Sequence, residues 1–140
     1  MRYKFLLAAV LWAACILVVM CTNDAEAFLY EQTLNYEIDF NPNLSDFFIY
    51  SDINLTDAFY LFQKTGHLLS FGLLYILVFN WLRSHYKSFG ICILFALFSE
   101  VIQLFFQRNG RLFDVGVDLI GILLAYLILQ HFRKDKVTAN

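Results

Sequence analysis

Charge is scarce in this chain, and proline and glycine are scarcer. Of 140 residues 16% are charged, six are glycine and one is proline. Soluble domains carry about a quarter charged residues, so an ordinary water-facing surface is excluded over most of the length. So little proline and glycine excludes a linker or a low-complexity segment. The three cysteines, Cys15, Cys21 and Cys92, form no CxxC pair and no Cys/His cluster. That argues against a zinc site or a disulfide framework, and all three are expected to be small buried hydrophobes. No basic patch is broad enough for nucleic acid. HExxH, nucleophilic-serine and phosphate-loop motifs are absent. Residues 22–63 contain no lysine or arginine at all.

What is present is hydrophobe, 60% of the chain, with 19% aromatic. It is gathered into four runs, at 5–21, 65–82, 89–107 and 115–132, each near the length that crosses a bilayer core. The first run follows Arg2 and Lys4 and could be a signal peptide. Its Val-Val-Met-Cys ending hints at a lipoprotein cleavage site, but such sites want small residues where Val19 and Met20 stand. An uncleaved helix is expected over 1–22. Residues 23–63 form an acidic, aromatic stretch with Asp24, Glu26, Glu31, Glu37, Asp39, Asp46, Asp52 and Asp57. It reads as a loop or short helices on the membrane surface, with Thr56-Asp57 capping a short helix that leads to the next span. Basic residues mark the N-terminus, the 83–87 turn and the tail at 133–140, so these are expected inside and the acidic loop outside. The expected fold is all-α: a four-helix transmembrane bundle with both termini cytoplasmic. The 108–114 turn is the exception, because it carries Arg108 and Arg111 yet falls outside. Local acidic partners are expected to hold them.

The polar residues within the spans follow helical spacing. Lys64 and His67 are three apart; Glu100 and Gln103 are three apart; Asp114, Asp118 and Gly121 fall at i, i+4 and i+7. All lie at the outer ends of their helices. An unpaired charge near a bilayer core costs at least about 2.5–3.5 kcal/mol, so the three faces are expected to turn toward one another. Arg108 and Arg111 would close the cluster, since a guanidinium can bind two carboxylates. Lys64 would sit at the rim, and Gly121 would allow a close helix approach. Three readings follow: a network that only locks helix register, a binding site for an anionic or polar group, or a catalytic site. His67 with Glu100 and the aspartates could hold a metal or do acid–base work, but the reading assigns no metal and no cofactor. Ser99 reads as packing, His85 and His131 as interface residues, and Tyr126 and Trp81 as membrane-facing or packing aromatics.

These residues, in this order, resemble the VanZ-like family of small bacterial membrane proteins. The family pattern places a lysine three before a histidine, here Lys64-Thr-Gly-His67. A glutamate with a glutamine three later follows, here Glu100-Val-Ile-Gln103, then an arginine in the next turn. An aspartate with Asn or Asp at +4 and Gly at +7 completes it, here Asp114-Val-Gly-Val-Asp118-Leu-Ile-Gly121. The resemblance covers roughly 57–130, within a three-span domain over 57–132. Ser70 stands where an acidic residue is common. Phe106-Gln107 replaces the usual Pro-Gly, so the family arginine matches Arg108 or Arg111. Ala125-Tyr126 replaces a glycine-rich end of the last span.

The resemblance implies a multi-pass protein of the bacterial cytoplasmic membrane. The founding member is linked to resistance against teicoplanin, a lipid-tailed glycopeptide that binds peptidoglycan precursors. An outward-facing site of Lys64, His67, Glu100, Gln103, Arg108, Arg111, Asp114 and Asp118 would then meet membrane lipids, a lipoglycopeptide or a lipid-linked cell-wall precursor. The alternatives are an intramembrane enzyme acting on a lipid-linked substrate and a non-catalytic membrane assembly partner.

Overall fold

A computed structural model describes residues 2–51 and 53–138, with side chains as far as 132. Asp52 and the basic side chains of the 133–136 tail lie outside the described residues. The order is α1 (Arg2–Met20), α2 (Ala25–Glu31), a 3-10 turn (Leu44–Phe48), α3 (Ala58–Leu82), α4 (His85–Phe105) and α5 (Leu112–Thr138). Among the described residues, four helices are long and apolar enough to cross a membrane: Arg2–Met20, Ala58–Leu82, His85–Phe105 and Leu112–Phe132. At about 1.5 Å per residue, 21 residues match a hydrocarbon core of roughly 30 Å.

Burial is inverted relative to a soluble protein. Leu7, Leu11, Leu69, Leu94, Phe98, Ile120, Leu123 and Leu127 are exposed, whereas Glu100 and Asp118 are 0% exposed and Asp114 is 3%. Exposed leucine is costly in water and costs nothing in lipid, while an ionised side chain in hydrocarbon must turn inward. The pattern is that of helices solvated by acyl chains.

Local signals explain the ends. Asp57 caps α3 itself rather than a separate short helix, accepting from the Phe59 N–H at 2.9 Å. The first two turns of that helix are built from residues 58–64, so the long loop closes at Asp57. Asp24 caps α2 in the same way, accepting from Ala27 N–H. α3 ends at Arg83 in the left-handed conformation, φ 56°.

The helices alternate in direction. Trp12 of α1 donates its indole N–H to the Ser70 carbonyl of α3 at 3.0 Å, and Ala9, Ile16 and Met20 are buried beside it. The first helix is therefore part of the bundle. α3 packs most extensively on α5, and the two run parallel. A Cβ at Gly121 would collide with the Leu68 backbone, and one at Gly72 would come within 3.2 Å of the Gly121 carbonyl. Glycine removes the side chain where the two backbones need to meet. Cys21 and Cys92 are buried, but Cys15 is exposed. The expectation for Cys15 fails because α1 is apolar all round, so nothing in the run marks which side faces lipid.

At the end opposite the site, Tyr75 Oη lies 2.7 Å from His85 Nδ1, and the His85 ring stacks on Phe79 at 4.2 Å. Phe89 and Tyr126 complete this aromatic plug. His85 therefore belongs to the packed interior as well as to the helix end.

Candidate functional site

The site forms where the start of α3, the end of α4 and the start of α5 meet. Because α4 runs against its two neighbours, residues at its C-terminal end come level with residues at their N-terminal ends. Lys64 and His67 face inward from α3, Glu100 and Gln103 from α4, and Asp114 and Asp118 from α5. Lys64 Nζ lies 2.6 Å from Asp114 Oδ1. His67 Nδ1 lies 3.1 Å from Asp118 Oδ1 and 3.6 Å from Glu100 Oε1. Gln103 donates from Nε2 to Glu100 Oε1 at 2.9 Å, and the Arg111 backbone N–H donates to Glu100 Oε2 at 3.1 Å. Six of the sequence-selected side chains thus gather at one end of the bundle, as a Lys64–Asp114 pair and a network of His67, Asp118, Glu100 and Gln103.

The two arginines reach toward the long loop. Arg108 Nη1 donates to the Asn23 carbonyl at 3.1 Å, and Arg111 Nη1 donates to the Asp46 carbonyl at 2.7 Å. Both reach backbone carbonyls of the long loop. The turn meets Glu100 through the Arg111 backbone N–H, while both guanidinium groups bond to the loop. The ammonium of Lys64, expected at the rim, holds the carboxylate of Asp114. Burial pushes the Arg108 guanidinium below its ordinary range, and the negative charge of Glu100 opposes that shift. Its Nε has no hydrogen-bond partner among the described residues.

The α4–α5 turn is tight. Gln107 takes φ 51°, where Pro-Gly is usual in the resembled pattern. The Arg108 N–H returns to the Gln103 carbonyl at 3.0 Å. A Cβ at Gly110 would strike the Glu100 carbonyl, so this glycine lets the turn fold back over α4 and brings Arg111 N–H to Glu100. Gly110 escapes a reading based on charge, although the Asn109-Gly110 dipeptide is a signal for a tight turn.

The loop closes over this end. Asp39 N–H donates to the Phe105 carbonyl at 2.8 Å, and Asn23 N–H to the Asn35 carbonyl at 2.8 Å. Tyr36 donates its hydroxyl to the Val18 carbonyl. Cys21 is buried beneath it, and that burial pushes its thiol up to about 11.

Two cavities adjoin the cluster. One, of about 270 Å³, is walled mainly by apolar side chains of α1, α2 and α3, including Trp12, Ile16, Met20, Phe28, Phe59 and Phe62. The other, of about 240 Å³, is lined by Tyr60, Lys64, Gln103, Arg108, Arg111 and Asp114 among others. Gln63, His67 and Arg108 line both. Chemically, the polar cavity is lined by Arg108, Arg111 and the Lys64–Asp114 pair beside amide and phenol groups, a net positive lining that suits an anion. His67, Glu100 and Asp118 offer one nitrogen and two carboxylates, which suits proton transfer or a divalent ion.

Comparison with known proteins adds the following. The family model described as VanZ/LLP1 matches residues 5–133. That is wider than the 57–130 legible from motifs, and it takes in α1 and the long loop. The "Uncharacterized membrane protein YwnJ" of Bacillus subtilis (strain 168) is 36% identical over 130 residues, covering 90% of this chain and 91% of that protein. No solved structure matches.

Proposed function

We propose, from the premise that this chain belongs to the VanZ/LLP1 family of membrane proteins, that it binds an anionic amphiphile of the bacterial envelope. The bound molecule is a lipid-linked cell-wall precursor or a lipid-tailed glycopeptide. Through that binding the protein influences susceptibility to teicoplanin and related lipoglycopeptides. One observation carries the reading: an apolar cavity and a cationic one lie side by side and share Gln63, His67 and Arg108. An acyl chain fits the first and a phosphate or carboxylate the second, with Arg108 at the junction. Arginine suits this position because its fork recognises phosphate and carboxylate groups. Glu100 and Asp114 act by holding the Arg111 turn and Lys64 in place. The site faces outward in this scheme, where such ligands are met.

The test is a lipoglycopeptide susceptibility assay in cells carrying wild type, Arg108→Gln or Glu100→Gln at matched membrane abundance. Both substitutions are expected to abolish the difference that the wild-type protein makes. Full retention by both variants contradicts the binding-site reading.

A further inference from the structure

We infer that His67, Glu100 and Asp118 form a binding site for a single divalent first-row transition ion, of the zinc or manganese class. His67 also borders the proposed amphiphile site and Glu100 supports its Arg111 turn, but the inference rests on their ligand atoms with those of Asp118 and stands whether or not an amphiphile binds.

Three observations point there. First, one ligand atom from each residue lies within 4.8 Å of the other two. Two ligands about 2.0–2.2 Å from a shared ion at tetrahedral angles sit roughly 3.4 Å apart. The distances from His67 Nδ1 to Asp118 Oδ1 and to Glu100 Oε1, 3.1 and 3.6 Å, bracket that value. Second, Asp118 is 0% exposed, and its Oδ2 has no hydrogen-bond partner among the described residues. A buried carboxylate oxygen without a donor is costly, and a cation on this side chain would satisfy it. Third, the outer supports are in place. Glu100 accepts from Gln103 Nε2 and from the Arg111 N–H, bonds of the kind that orient a ligating carboxylate. The donor set of one imidazole and two carboxylates favours zinc, manganese or iron over calcium or magnesium, which prefer oxygen ligands throughout. The ligands come from α3, α4 and α5, so an ion here would tie together the three helices that build the polar end.

A hydrogen-bonded His–Asp pair is the competing account of the short distance, and metal analysis separates the two. The full chain is purified in mild detergent from cells grown with added zinc and manganese. It is expected to retain about one ion per chain. A variant with Cys15, Cys21 and Cys92 all replaced by serine keeps that ion. His67→Ala and Asp118→Asn fall at least about tenfold in metal content at unchanged elution volume and helicity. Should those variants fail to fold, wild type stripped with a chelator and titrated with Co²⁺ decides the matter. Visible cobalt absorption saturating at one ion per chain, without thiolate charge-transfer bands, supports the site. No cobalt uptake, thiolate bands, or metal retained equally by His67→Ala overturns it.

Discussion

Lys64 and Asp114 illustrate what one buried pair demands of its residues. Their groups lie 2.6 Å apart, with the lysine side chain 18% and the aspartate 5% exposed. Removing one partner leaves the other charge desolvated, which costs about 3–5 kcal/mol in a fully buried pair; the partial exposure of Lys64 puts this case at the low end. Lys64→Met is therefore expected to destabilise the detergent-solubilised protein. The double variant Lys64→Met/Asp114→Leu should lose less than the sum of the singles in an unfolding series. Strict additivity would contradict a direct pair. Cys21 is a second case. With its thiol pushed up to about 11, the thiolate at pH 8 is rarer than in an ordinary cysteine near 8.5 by roughly two-hundredfold. In a variant retaining only Cys21, alkylation at pH 8 should be slower by about that factor than after denaturation. Equal rates before and after denaturation would mean that the loop does not cover it.

At the scale of elements, helical spacing made the cluster legible. The i, i+3 and i, i+4 placements of Lys64 and His67, Glu100 and Gln103, and Asp114 and Asp118 sort ionisable side chains to one face with no knowledge of the fold. The anchoring of the loop was not legible. Arg108 and Arg111 grip the carbonyls of Asn23 and Asp46, and a carbonyl is common to every residue, so the sequence carries no mark of it. The lipid-facing side of α1 was equally silent, because lipid and helix neighbours both accept apolar side chains. Periodicity speaks only where polarity differs between faces. The loop contacts lead to a prediction. Arg111→Ala removes the bond to the Asp46 carbonyl and loosens the 3-10 turn, so limited proteolysis within 40–50 should accelerate while spans stay intact. Unchanged cleavage would show that the turn is held by other contacts. The α3–α5 crossing gives another. Gly121→Val drives a branched side chain into the Leu68 backbone, and overpacking of this kind costs about 1–3 kcal/mol or more. A lowered unfolding midpoint is expected, with Ala125→Gly as a milder comparison at the same interface.

For the molecule as a whole, alternating helix direction decides what the site can meet. The α4–α5 turn and the long loop lie at one end of the bundle, and the α3–α4 turn lies at the other. An acidic loop without lysine or arginine lies at one end and basic residues at the other; on the charge-bias rule the loop end is expected outside. Arg108 and Arg111 run against that bias. Their bonds to loop carbonyls show how two cations are held at an end that charge alone would place outside. The proposed amphiphile site needs this orientation, since its ligands are met at the outer leaflet. The most direct measurement is labelling with a membrane-impermeant maleimide in intact cells, using a cysteine-free chain carrying either Asn109→Cys or Tyr86→Cys. Asn109 is exposed in the α4–α5 turn and Tyr86 is 90% exposed at the start of α4. The account predicts that Asn109→Cys is labelled in intact cells and Tyr86→Cys only after permeabilisation. The reverse pattern would put the polar end in the cytoplasm and contradict it.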